Sequence, residues 1–197
     1  MKHPVLVASA LLFSVALLAG CASDPLAEQF AAGTQKNYIS GSGDIAVIAA
    51  ADRGEPVSWT GTTDTGETLA SADYDGEVVV LNFWYAACPP CRVEAPDLEA
   101  LHQLYLDEGA SFVGVNVRDQ AETALTFAQE TGVSFPSIID TNTGNLLLAY
   151  AGTVAPNAVP TTLVIDKQGR VAARFLGAID GQSTLSTIIR ETIAEAR

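Results

Sequence analysis

The stretch that decides the fold is "NFWYAACPPCRVEAP", residues 82–96. Two cysteines, Cys88 and Cys91, stand two residues apart behind the apolar run "EVVVLNFW" at 77–84, and the chain holds only one other cysteine, Cys21. A continuous β-branched and apolar run of that length predicts a strand buried on both faces. The prolines at 89 and 90 suit the first turn of a following helix, where a missing N–H costs nothing. That helix is predicted from about Pro90 to Asp107, with Leu98, Leu101 and Tyr105 on one face.

Outward from this junction the pattern alternates. A second buried strand is read at 111–117, "SFVGVNV", and a helix with Ala121, Ala124, Leu125 and Ala128 at amphipathic spacing. An extra piece at about 133–157 holds a short strand, "SIID", and a helical turn from Leu146 to Tyr150. The runs "TTLVID" and "RVAARFLG" flank Lys167-Gln168-Gly169 as an antiparallel hairpin, and Leu185, Ile188, Ile189 and Ile193 mark a last helix. Upstream, "DIAVIAA" (44–50) is an edge strand candidate and "WTGTTDTGETLA" (59–70) a hairpin. Alternating strands and helices imply a parallel section of sheet closed by an antiparallel edge.

Residues 1–20 read as an export leader. An apolar run from Val5 to Leu18 follows Lys2 and His3; it is too short for the ~20 residues of a membrane span and right for a secretory signal. Its end, Leu18-Ala19-Gly20-Cys21, looks like a bacterial lipobox, which implies cleavage before Cys21 and a lipid on that residue. An uncleaved anchor is the alternative; either way the rest lies outside the cytoplasm, held at the cell membrane. Residues 21–43 are polar, small and aperiodic and read as a flexible tether, leaving 44–197 as the folded domain. With Cys21 assigned to lipid, Cys88 and Cys91 are the remaining pair, in a compartment where disulfides persist.

The formal charge of −13 would repel phosphate backbones and argues against nucleic acid as a partner. A zinc clip lacks ligands: no second CxxC exists, and the two histidines are His3 in the leader and His102, read as a helix-surface residue. No metal and no cofactor are expected. A static staple would add little stability, because the loop it closes is so short.

The element order, with "NFWYAACPPCRVEAP" at the first strand–helix junction and "AVPTTLVID" downstream, resembles the thioredoxin fold and, within it, the membrane-anchored extracytoplasmic branch typified by ResA, TlpA and DsbE. The resemblance covers roughly residues 55–195. It implies an α/β thioredoxin-like fold, a central mixed sheet flanked by helices, here with an N-terminal β-hairpin extension and a central βα insertion. It also implies a thiol–disulfide oxidoreductase. Cys88, at the helix start, would be the attacking thiolate, stabilised by unpaired N–H groups; Cys91 would resolve the mixed disulfide. Pro160 matches the family's cis-proline, which would leave the backbone of Val159 free to pair with an extended substrate. Glu94 matches the branch's active-site acid and would move a proton for Cys91; the alternative is a solvated glutamate at a helix start. General thioredoxins carry an aspartate where this chain has Asn82, which cannot titrate. Trp84 is read as a wall beside the site, or else as plain core packing, and Pro96 matches the helix-kinking proline. Ala87 departs from the tryptophan most relatives place there.

As function, the resemblance implies a reductant acting on the haem-site cysteines of apocytochrome c, fed by a membrane thiol donor. The alternatives are an oxidant for exported proteins and, from another class, a non-catalytic binding lipoprotein. A copper chaperone would want a downstream histidine, and a peroxiredoxin a Thr-x-x-Cys setting; neither is present. A monomer is the default.

Overall fold

A computed structural model of the chain describes residues 44–154 and 158–195. The leader, Cys21 and the tether lie outside the described residues. The central sheet has six strands in the order β1-β8-β7-β4-β5-β6. They are β1 (Asp44–Val47), β4 (Val78–Trp84), β5 (Ala110–Asn116), β6 (Ser137–Ile139), β7 (Thr161–Ile165) and β8 (Val171–Leu176). A separate hairpin is formed by β2 (Thr60–Thr62) and β3 (Thr68–Ala70). The helices are α1 (Pro89–Tyr105), α2 (Ala121–Thr131), the short α3 (Asn145–Ala149) and α4 (Ser183–Ala194). Strands β4, β5 and β6 are parallel, while β7, β8 and β1 add in antiparallel fashion. This is the thioredoxin-like mixed sheet that the element order implies.

Strand β4 is buried at all seven positions because both faces are covered. Side chains alternate between faces, and its residues divide accordingly. Val78 and Val80 join Leu98, Leu101, Tyr105, Leu185, Ile188 and Ile189, from α1 and α4. Val79, Leu81 and Phe83 join Trp59, Ile138, Leu146 and Tyr150 on the other face. The same alternation turns Asn82 and Trp84 toward the α1 side. The hairpin lies against β6: Thr63 bridges Ile138, and Gly61 sits so close that a Cβ there would be 2.3 Å from Ile138 Cγ2.

Three expectations need correction in detail. Helix α1 begins at Pro89, one residue before the predicted start. The buried positions of α2 are Ala124 and Phe127, with Ala121 and Leu125 only half-buried, since an aromatic ring carries the contact that alanines cannot. His102 is half-buried, its ring edge-on to Phe112 and Phe135, so it packs rather than merely decorating the surface.

Candidate active site

The carboxyl end of β4 delivers the chain through Tyr85–Ala87 to Cys88, the N-cap of α1 in extended conformation. A helix start leaves four N–H groups without intrahelical partners. Pro89 and Pro90 remove two of them, and the next, from Cys91, donates to Cys88 Sγ at 3.3 Å. The sulfur thus occupies the place a serine or aspartate oxygen takes in an ordinary cap. Cys88 and Cys91 form a disulfide with Cα atoms 5.3 Å apart, and the residues are 0% and 2% exposed.

The approach to Cys88 is held by polar contacts. The Ala86 N–H donates to Asp119 Oδ2 at 2.6 Å, and Asn116 Nδ2 donates to the same oxygen at 2.9 Å. Asn116 Oδ1 in turn accepts the N–H groups of Arg118 and Asp119. The Arg118 guanidinium lies 4.5 Å from the Tyr85 ring centroid, and that of Arg92 lies 5.3 Å from Phe127. Between α1 and α2 an open groove of about 370 Å³ runs from Ala86 past Arg92 and Phe127 to Glu122 and Glu130. Ala87 is exposed beside it. Asn116 and Asp119 escaped the sequence reading; the available signal was an Asn-x-x-Asp pattern at a strand end, where such side chains bond nearby backbone.

Glu94 lies one turn beyond Cys91 and is 1% exposed. Its Oε1 accepts from Asn82 Nδ2 at 2.8 Å and its Oε2 from the Ile179 N–H at 2.9 Å. Burial disfavours the charged form more than these two donors favour it, and the carboxyl is pushed up to about 7. Asn82 also donates to Thr162 Oγ1 at 3.0 Å. A polar residue inside "VVVLNFW" was the sequence signal for this contact.

The Val159–Pro160 peptide bond is cis. Val159 shares a buried cluster with Cys88, Cys91, Trp84, Tyr85 and Phe127. The Pro160 carbonyl accepts from the Gly177 N–H at 2.9 Å, and the Thr161 hydroxyl donates to the Ala158 carbonyl. Trp84 is brought into one buried cluster with the cysteines. It is 5% exposed, its ring is 4.3 Å from that of Phe127, and its Nε1 donates to Ser137 Oγ at 3.2 Å. Gly114 makes this contact possible, since a Cβ there would be 2.2 Å from Ser137 Oγ and 2.8 Å from Trp84 Nε1. Trp84 is therefore packed among buried side chains next to the cysteines, with little surface of its own. The space it lines with Asn82, Cys91, Phe127 and Ser137 measures about 10 Å³, no more than one water molecule.

Comparison with known proteins agrees with this geometry. The Redoxin family model matches residues 41–189. The chain is 33% identical over 117 residues to the thiol-disulfide oxidoreductase ResA of Halalkalibacterium halodurans, an alignment covering 59% of this chain and 64% of the relative. It spans 59% of the corresponding protein of Geobacillus thermodenitrificans, at 37% identity over 107 residues. The chain thus spans less than two thirds of the length of these curated relatives. Among solved structures, it resembles a secreted thiol-disulfide isomerase from Corynebacterium glutamicum with a TM-score of 0.71 and 30% identity, covering 80% of this chain and 96% of that one. A DsbF homologue from Corynebacterium diphtheriae aligns with a TM-score of 0.66 and 34% identity, covering 78% and 96%. The ResA relatives are named as thiol-disulfide oxidoreductases and the Corynebacterium glutamicum protein as a thiol-disulfide isomerase, and in this chain Cys88 and Cys91 form the Cys-x-x-Cys pair. With three quarters of its length inside one family model and a solved relative matched almost end to end, the chain belongs to the Redoxin family.

Proposed function

We propose that the protein is an extracytoplasmic thiol–disulfide oxidoreductase, held to the cell membrane by a lipid on Cys21, that reduces disulfides of exported proteins. The observation that carries the reading is a cystine at the start of α1 with a buried carboxyl group, pushed up to about 7, one turn further on. In the reduced protein the Cys91 N–H and the helix start favour a thiolate on Cys88. That thiolate attacks a partner disulfide, forming a Cys88–partner bond as one partner sulfur leaves. Glu94 takes the proton from Cys91, whose thiolate then attacks Cys88 Sγ and releases the second partner sulfur. Two electrons pass from the Cys88–Cys91 dithiol to the partner, and no cofactor is needed.

The backbone of Val159, beside the cis bond, is the proposed pairing edge for an extended partner segment. Trp84, packed in the same cluster as the cysteines, supports the site. The resemblance to ResA-like proteins supports apocytochrome c as substrate and a membrane thiol donor as the source of electrons. Similarity to a secreted thiol-disulfide isomerase favours a second reading, in which the pair acts as an oxidant or shuffles disulfides in exported proteins.

The equilibrium reduction potential of the Cys88–Cys91 pair, measured against a dithiol buffer, separates these. A value near or below about −250 mV supports the reductant, and one near about −120 mV overturns it in favour of the oxidant. Replacing both cysteines with serine is expected to abolish exchange; a wild-type phenotype in cells carrying that variant would instead mark a non-catalytic binding lipoprotein.

A further inference from the structure

Strand β4 is apolar at every position but one. Asn82 is 5% exposed, and an amide so buried is costly unless its polar atoms find partners. In register it stands opposite Thr162 on β7, and the alternation of β4 aims it at α1. Both hydrogens of its Nδ2 are used, one on Glu94 Oε1 and one on Thr162 Oγ1. Neither contact is an ion pair.

An amide carries two hydrogens on one terminal atom and two lone pairs on the other, and a threonine hydroxyl either donates or accepts. Turned by half a rotation about its last side-chain bond, Asn82 would place Oδ1 where Nδ2 stands. Oδ1 would then accept from a protonated Glu94 and from the Thr162 hydroxyl. The two Nδ2 hydrogens would then need acceptors where Oδ1 now stands; without the turn, Nδ2 keeps donating to Oε1 when the proton of Glu94 sits on Oε2. A leucine at 82 could serve neither state of Glu94, and a lysine would serve only the carboxylate. The other groups facing Glu94 do not decide its state in the same way. The Ile179 N–H donates to Oε2, Asp180 beside it is exposed, Cys91 shares the buried face of α1, and no cation pairs with Glu94 among the described residues.

We propose that Asn82 is a positioning residue for the exchange reaction, an amide that holds the Glu94 carboxyl in place whether or not it carries the proton and ties it through Thr162 to the segment that begins at the cis Val159–Pro160 bond. This rests on the reading above that Glu94 moves the proton of Cys91. Asn82 itself touches no reacting atom; it acts through Glu94.

The test follows the Glu94 side-chain carboxyl by carbon NMR in the oxidised full chain as pH is raised. In parallel, the rate of exchange between the reduced protein and oxidised glutathione is measured against pH. Wild type, Asn82→Ala, Asn82→Asp and Glu94→Gln are compared. Loss of one hydrogen bond to a charged acceptor should raise the Glu94 midpoint in Asn82→Ala by about one to two pH units. The rate profile should move up with it, leaving exchange at neutral pH about ten- to a hundredfold slower and recovering at higher pH. The isosteric Asn82→Asp keeps the fold available should Asn82→Ala fail to fold. It sets two carboxyl groups within hydrogen-bond distance, and the upper step of that pair should lie above the wild-type midpoint. Folded Asn82 variants with the wild-type midpoint and profile, beside a slowed Glu94→Gln, overturn the role of Asn82 alone. A Glu94→Gln protein with the wild-type profile overturns the proton-moving reading, and the catalytic meaning of Asn82 with it.

Discussion

Two carboxyl groups in this protein are almost equally hidden and behave in opposite ways. Glu94 on α1 is 1% exposed and Asp166 at the end of β7 is 2% exposed. Burial pushes both up. For Glu94 only two neutral donors oppose it, and the group settles at about 7. For Asp166 the Arg170 N–H, the guanidinium groups of Arg53 and Arg170, and the Gln168 N–H more than offset burial and hold it below the usual carboxylate range. The lesson is that depth alone does not set an acid's state; the charge of its partners does. Asp166 ties residues 48–53, the β7–β8 turn and, through Arg53 and Glu195, the end of α4 into one knot. Among the described residues Glu94 has no cation to fix its charge, and it stays free to change it.

The contrast breaks most visibly if each acid is removed. Asp166→Ala leaves the Arg53 side chain, 3% exposed, with Glu195 as its remaining charged partner, and should cost about 3 kcal/mol in urea unfolding without altering the rate of disulfide exchange. A cost under 1 kcal/mol would show the knot to be dispensable.

The pH dependence of stability should differ in sign between the two. Glu94 has a folded-state value of about 7 against an ordinary value of 4.5, so between these the native state binds a proton that the unfolded chain has released. Its contribution is fully present below pH 4.5, declines as pH rises and is lost by about pH 7, an amount on the order of 3 kcal/mol. Asp166, lowered, contributes above its unfolded value and loses that contribution as pH falls through its folded value. Unfolding free energies of wild type and Glu94→Gln measured from pH 4 to 8 should therefore diverge, with the variant gaining on wild type as pH rises. Parallel curves would mean that Glu94 titrates alike in the folded and unfolded chain.

Smaller effects sharpen the picture. Arg170 shares Asp166 with Arg53 but is 26% exposed, so Arg170→Ala should cost about 1 kcal/mol, clearly less than Arg53→Ala. Trp84→Phe keeps the ring against Phe127 and loses the bond to Ser137, a change of about 1 kcal/mol in unfolding with no more than a slight change in exchange rate. A large loss of exchange in Trp84→Phe would restore that side chain to the substrate surface.

Much of this molecule is legible in one dimension. The run at 77–84, the proline-led helix, the hairpin around Gly169 and the short strand at 137–139 lie within a residue or two of where hydrophobic period and turn chemistry put them, because each is specified locally. What stayed hidden depends on neighbours far along the chain. The packing of Trp84 by Phe127, Gly114 and Ser137 shows only once distant segments close on it. His102 looks like a surface residue until Phe112 and Phe135 close on its ring. Asn116 and Asp119, which hold the approach to Cys88, carry no signature stronger than a strand-end turn.

By itself, the amino-acid sequence determined the order of the elements and the Cys-x-x-Cys pair at a strand–helix junction, since period, prolines and spacing act over a few residues. Only the tertiary structure decided which acid is held charged and which is left to titrate. Asn82 and Ile179 reach Glu94 from 12 residues before it and 85 after, while Arg53 reaches Asp166 across 113 residues. The state of a buried charge is set by whatever the fold brings within 3 Å of it.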